Sequence, residues 1–138
     1  MNTNSTKNFS KLQREDLLFP ELSYQIVGIL FGVFNGLGYG YREKFYQRAI
    51  ARELGNTGLA YKEQLRHPVF FNGKKIGIHI FDFLIEDKIV LELKQGDYFS
   101  KNDIAQAYSY LKSSSRKLAI LARFTRRGLK FKRIINVI

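Results

Sequence analysis

Cysteine is absent from the 138 residues. That excludes disulfides, a thiolate zinc site and a cysteine nucleophile, and nothing in the chain speaks for an oxidising compartment. An intracellular, cytoplasmic protein is the simpler expectation. The chain opens MNTNSTKNFS, which lacks the basic and apolar regions of a signal peptide. The apolar stretch from Ile26 to Leu37 is too short, and too interrupted by Gly and Asn, to span a bilayer. A soluble protein with no membrane partner is therefore expected. Acidic residues stop at Asp103, while Lys112, Arg116, Lys117, Arg123, Arg126, Arg127, Lys130, Lys132 and Arg133 follow. With a net charge of +11, this asymmetry points to a polyanionic partner. Nucleic acid is favoured over an anionic membrane, because the basic residues are interleaved with strand-like apolar ones rather than arrayed on a cationic helix. The alternative is a basic surface that serves only solubility. No zinc finger, helix-turn-helix or internal repeat is evident, so any action on DNA is expected to follow structure or a partner rather than sequence.

What is present suffices for one domain with its own core, expected over residues 19–138 behind a poorly ordered tail of residues 1–18. Pro20 and Glu21 look like a helix start, and Ile26, Ile29, Leu30, Val33, Phe34 and Leu37 recur at helical spacing. Glycines 36, 38 and 40 should break that helix, and a second should run from Tyr41 to Leu54 and end at Gly55. From Leu59 the residues become aromatic and β-branched, and Asn72-Gly73 signals a two-residue hairpin. A strand from Lys75 to Ile85, a tight turn and a strand from Lys88 to Lys94 complete a meander. Apolar residues on both parities suggest that these last two strands are covered on both sides. A helix over Ser100 to Leu111, with Ser100 and Asp103 as its cap, a buried strand from Lys117 to Phe124 and an edge strand at the end finish the chain. The expected class is α/β (α+β), in the order ααβββαββ.

Within those apolar strands lie Asp82, Glu92 and Lys94, where unpaired charge would cost several kcal/mol, on the order of 2–7 for a polar group alone. If a three-residue turn sets residue 85 against 89, Asp82 faces Glu92 with Cβ atoms about 5 Å apart. Lys94 then projects from the same face, about 6–7 Å along the strand. Two carboxylates suit Mg²⁺ or Mn²⁺, which keep waters and accept a phosphate ligand. Lys94 could orient the attacking water or stabilise charge on phosphorus, so phosphodiester hydrolysis uses all three residues. The alternative is a buried ion triad with no chemistry. Gln106 and Tyr110 share one face of the third helix and could position a phosphate or the lysine amine. Otherwise Tyr110 is core and Gln106 surface. Glu43 follows the glycine turn and could point to the charged face of the sheet. His67 and His79 have no metal-ligand spacing, and His79 has the parity opposite Asp82, so both are expected to be structural.

The ordered segments GYGYREKFYQRAIARELGNTGLAY, FDFLIEDKIVLELK, AQAYSYLK and LKFKRI resemble the GxxExxR proteins, a branch of the PD-(D/E)XK nuclease superfamily. The likeness runs from about Tyr24 to Ile135. It implies a restriction-endonuclease-like core, a mixed central sheet of about five strands flanked by helices. By that resemblance Asp82 and Glu92 bind divalent metal and Lys94 assists the attacking water, with Gln106 and Tyr110 in support and Glu43 as a further ligand. Two positions depart: the pattern wants Arg where Tyr46 stands, and a small residue or Pro where Phe81 stands. The expectation is a Mg²⁺-dependent nuclease acting on DNA in preference to RNA. Arg116, Lys117, Arg123, Arg126, Arg127, Lys130 and Lys132 would contact phosphates, and a homodimer would bring two sites to two strands. The rivals are a catalytically inactive nucleic-acid-binding module on the same fold and a structural domain whose charge is incidental.

Overall fold

A computed structural model of the chain describes residues 18–136. The tail expected over residues 1–18 lies, apart from Leu18, outside the described residues. Helix α1 spans Pro20–Leu37 and α2 spans Glu43–Thr57. Strands β1 (Tyr61–Phe71), β2 (Lys74–Ile85) and β3 (Ile89–Lys94) follow. Helix α3 (Lys101–Ser114), β4 (Leu118–Thr125) and β5 (Gly128–Ile135) complete the order expected from the sequence. The strands lie side by side in chain order, antiparallel except for the parallel pair β3 and β4. A parallel pair needs a crossover, and α3 supplies it.

Two helix ends differ from expectation. Gly36 stays inside α1, which closes where the Gly38 amide (φ 73°) donates to Phe34 O at 2.7 Å. Likewise α2 runs past Gly55 to Gly58, whose φ of 76° is the left-handed cap that L side chains avoid. In both helices the glycine that stops the helix is one with positive φ. The α3 start is as expected: the Ser100 hydroxyl accepts from the Asp103 amide at 3.0 Å, and the Asp103 carboxylate accepts from the Ser100 amide at 3.1 Å.

Apolar faces pack on both sides of the sheet. Ile26, Leu30, Val33, Ile50 and Leu54 of α1 and α2 cover Phe83, Ile85, Leu91, Leu93, Ile120 and Ala122. On the other side Ala107, Tyr110 and Leu111 of α3 cover Phe81, Leu84, Val90, Ala119 and Leu121. β3 and β4 alternate cleanly between the two faces, but β2 does not. Phe81 and Leu84 share the α3 face although they are three residues apart, and Phe83 lies on the other. The β1 partner explains this. Glu63 pairs with Phe83 and Leu65 with Phe81, while Gln64, held at φ 55°, and Asp82 drop out of the ladder between them. The side-chain alternation of both strands therefore resets at one level.

The expected three-residue turn is present, since Ile85 faces Ile89 and the pairing continues to Phe83 and Leu91. Full coverage of β2 is not. Lys74 to Ile80 is exposed except for a partly buried His79, because β3 has six residues against twelve in β2 and the β1–β2 hairpin overhangs the core. Asn72 and Gly73 (φ 49° and 78°) close that hairpin with the both-positive turn that suits two-residue loops. A Cβ at Gly73 would meet nothing within 4 Å, so Gly73→Ala costs only backbone strain, about 1 kcal/mol. Because the tip lies outside the core, amide exchange should speed up at Phe70 to Lys75 and stay unchanged in β3 and β4. Uniform acceleration across all strands would show that the overhang is part of the cooperative unit.

Candidate active site

The interruption at Asp82 turns its carboxylate along the sheet towards β3. Asp82 is buried, and its Oδ2 accepts a hydrogen bond from the Leu93 amide at 2.7 Å. A side chain here takes the place of a backbone carbonyl, which is why the β2–β3 ladder ends one level earlier. Glu92 is buried on the α3 face, with Oε2 3.0 Å from His79 Nε2 and 3.5 Å from Lys94 Nζ. Lys94 Nζ is also 3.4 Å from Asp103 Oδ1. The other Asp103 oxygen receives Arg123 Nη2 at 2.6 Å, and Arg123 Nη1 donates to Gln95 O. A continuous chain of charge thus runs from His79 through Glu92, Lys94 and Asp103 to Arg123.

Glu43, in the first turn of α2, approaches from the opposite layer. With Lys94, Leu93, Tyr39, Gly40 and Gly96 it lines a cavity of about 240 Å³. Tyr46 anchors this wall, since its hydroxyl donates to Gly38 O at 2.5 Å and accepts from the Tyr41 amide at 3.3 Å. Its ring stacks on Phe124 at 4.1 Å. Burial pushes the Asp82 carboxyl up to about 7, with the nearby charges of Glu92 and Glu43 adding to the rise against the Leu93 amide and Lys94. Glu43 is also raised, first by burial and then by Glu92, although Lys94 and Arg123 pull it back. Three carboxyl groups, Asp82, Glu92 and Glu43, thus lie within electrostatic reach of one another and of Lys94.

Carboxylate oxygens are the donors that fit a hard divalent cation. Among the described residues no three His, Asp or Glu side chains are grouped closely enough to hold a metal ion by themselves. Asp82 and Glu92 could serve as two carboxylate ligands, with water and phosphate oxygens completing the shell.

A family model for the PD-(D/E)XK nuclease superfamily matches residues 20–134. The chain belongs to this superfamily. Its sheet and helices are the restriction-endonuclease-like fold. A crystal structure of SSO0001 is similar with a TM-score of 0.51 and 21% identity, over 69% of this chain and 50% of that one. An alkaline exonuclease (LHK-Exo) from Laribacter hongkongensis gives a TM-score of 0.48 and 14% identity, over 83% of this chain and 69% of that one. At 21% identity the likeness to SSO0001 is one of fold, and this chain spans half the length of that one. No curated protein sequence matches it. Among the described residues no helix is long and apolar enough to cross a membrane.

Several residues read from the sequence are placed differently in this nuclease-superfamily chain. Arg123, expected on a phosphate, is 3% exposed and committed to Asp103 and Gln95. Burial within the β4 register, beside Lys94 on β3, removes it from the surface. Arg116 binds Asp87 Oδ1 at 2.5 Å and the Tyr110 hydroxyl at 3.0 Å. Tyr110 is core, its ring against Phe81 and His67. Gln106 is exposed and lines a groove with His79 and His67. Arg126, Arg127 and Lys130 stand together at another cavity, and Lys132 is exposed.

His79 and Asp103 were missed. A parity rule put His79 on the face opposite Asp82, and the reset between them brought it to Glu92. Asp103 had been read only as a helix cap, yet it is the last acidic residue and opens the helix that follows Lys94. Burial raises its carboxyl, but the Ser100 amide and the Lys94 ammonium outweigh that and leave it below the ordinary value. A depressed carboxyl stabilises the fold at neutral pH, and that stability is lost as the pH falls through its folded value. Asp103→Asn should lower unfolding free energy by about 2 kcal/mol at neutral pH by leaving buried Arg123 underpaired. In acid the difference from the parent should shrink, as urea melts at two pH values would show; a constant difference would place the effect elsewhere.

Proposed function

We propose that this chain is a divalent-metal-dependent nuclease that hydrolyses phosphodiester bonds of DNA, with Mg²⁺ or Mn²⁺ held by Asp82 and Glu92. The observation that carries the reading is that Glu43 and Lys94 line one cavity while Glu92, 3.5 Å from Lys94, and buried Asp82 lie within electrostatic reach of both, in a chain of the PD-(D/E)XK superfamily. A bound cation would supply Lewis-acid polarisation of the scissile phosphate and lower the pKa of water. The Leu93 amide fixes the Asp82 carboxylate, and His79 fixes that of Glu92. Lys94, held between Glu92 and Asp103, is presented as an ammonium to the attacking water or to the phosphate oxygen on which charge builds. Water oxygen bonds to phosphorus as the bond to the leaving oxygen breaks. Glu43 faces the same cavity as a further carboxylate for the cation's waters. Gln106 borders the groove by His79, where it would hold the strand, and Tyr110 backs Phe81. Arg126, Arg127, Lys130 and Lys132 supply phosphate contacts around the acidic centre, whereas Lys117 precedes β4 at the far end of its ladder with β3.

Incubation of purified protein with single- and double-stranded DNA and RNA, in Mg²⁺, in Mn²⁺ and in chelator, tests this reading. Cleavage should require metal, and Asp82→Ala and Lys94→Ala should each slow it by about 100-fold or more. Cleavage that survives both substitutions would sink the site. Salt-sensitive binding with no cleavage in either metal would instead identify a binding module.

A further inference from the structure

We propose that the tyrosines beside the acidic cavity form a subsite for an unpaired nucleotide strand, in which Tyr98 and Tyr39 stack bases while Arg126, Arg127 and Lys130 hold phosphates. The inference rests on the nuclease reading and names its substrate: a strand end, flap or loop whose bases are free.

A second cavity of about 400 Å³ is lined by Tyr39, Asp97, Tyr98, Arg126, Arg127 and Lys130. Tyr39 lines the cavity of Glu43 and Lys94 as well, so the two adjoin. The rings are presented to solvent, Tyr98 at 82% and Tyr39 at 53% exposure, although tyrosine usually buries most of its surface. Each carries a cation: Arg126 lies 5.6 Å from the Tyr39 ring and Lys130 5.9 Å from that of Tyr98. Rings beside cations match the alternation of base and phosphate along a single strand. Three cations against Asp97 leave the cavity positive. Gly40 (φ 109°) and Gly96 (φ 92°) line the adjoining cavity with Lys94, and neither has a side chain to obstruct a backbone. Duplex bases are stacked inside the helix and present no face to these rings, so the preference is for an unpaired strand.

Fluorescence anisotropy in chelator, with labelled oligodeoxythymidine, oligouridine and a duplex of equal length, reads the subsite without turnover. Tyr98→Ala should weaken oligodeoxythymidine binding by about tenfold and leave the duplex unchanged, while Tyr98→Phe should match the parent. An equal effect on oligouridine means that the subsite takes either strand, and an effect on oligouridine alone assigns it to RNA; both uphold stacking. Lys130→Gln should weaken all probes and reduce the salt dependence. The same affinity in Tyr98→Ala as in the parent, or equal losses for single strand and duplex, overturns the subsite. If cleavage depends on Asp82 while Tyr98 is neutral, the subsite alone fails. If Tyr98-dependent binding occurs in a protein that cuts nothing, the subsite stands and the nuclease reading fails.

Discussion

The hydrogen bond from the Leu93 amide to the Asp82 carboxylate joins the fold to its chemistry. A strand that alternated regularly through Asp82 would aim its carboxylate at one apolar layer or the other, where no partner could offset the loss of water. By leaving the ladder together, Gln64 and Asp82 put the acid in the plane of the sheet, where a backbone amide is waiting. The same reset places Phe81 and His79 on the α3 face, and His79 thereby becomes the partner of Glu92. One local irregularity thus orients both carboxylates.

Lys94 must also be held at the wall of the cavity. Asp103 and Arg123 form the frame for this. Arg123 lies opposite Lys94 in the parallel ladder and would repel it if unpaired, but Asp103 stands between them and binds both. The capping box at Ser100 holds Asp103 in place, so the start of α3 and the position of the lysine depend on the same carboxylate. The order of elements serves this directly, since the helix whose first turn carries Asp103 is the one that must cross from β3 to β4.

How much of this could be read from the sequence depended on how local each cause was. Asn72-Gly73, the Ser100 cap and the apolar runs of β3 and β4 are signals written within a few residues, and those elements appeared as expected. The second helix runs past Gly55, and among glycines 36, 38 and 40 it is Gly38 that ends the first, because the sequence shows a glycine but not the sign of its φ. The overhang of β2 was hidden because burial depends on how far the neighbouring strand extends. Strict alternation led the site reading astray: Gln64 is no turn former, and nothing in the sequence marks it as the residue that takes a positive φ. The fate of Arg123 was equally hidden, since its basic neighbours in sequence point outward and its partner is twenty residues away on α3.

Tyr46 shows how a departure from a pattern can preserve its effect. The resemblance calls for arginine there, a residue able to reach carbonyls around the glycine junction. Tyr46 reaches Gly38 O with its hydroxyl, takes the Tyr41 amide in return and braces its ring on Phe124. The loop thus pinned presents Tyr39 and Tyr41 on either side of Gly40 and leads directly into Glu43 at the head of α2. The uncharged clamp also matters electrostatically. A guanidinium in that wall would sit beside Glu43 and Lys94, drawing the Glu43 carboxyl down and repelling both the ammonium and a divalent cation. With tyrosine, the wall adds no charge beside Glu43 and Lys94.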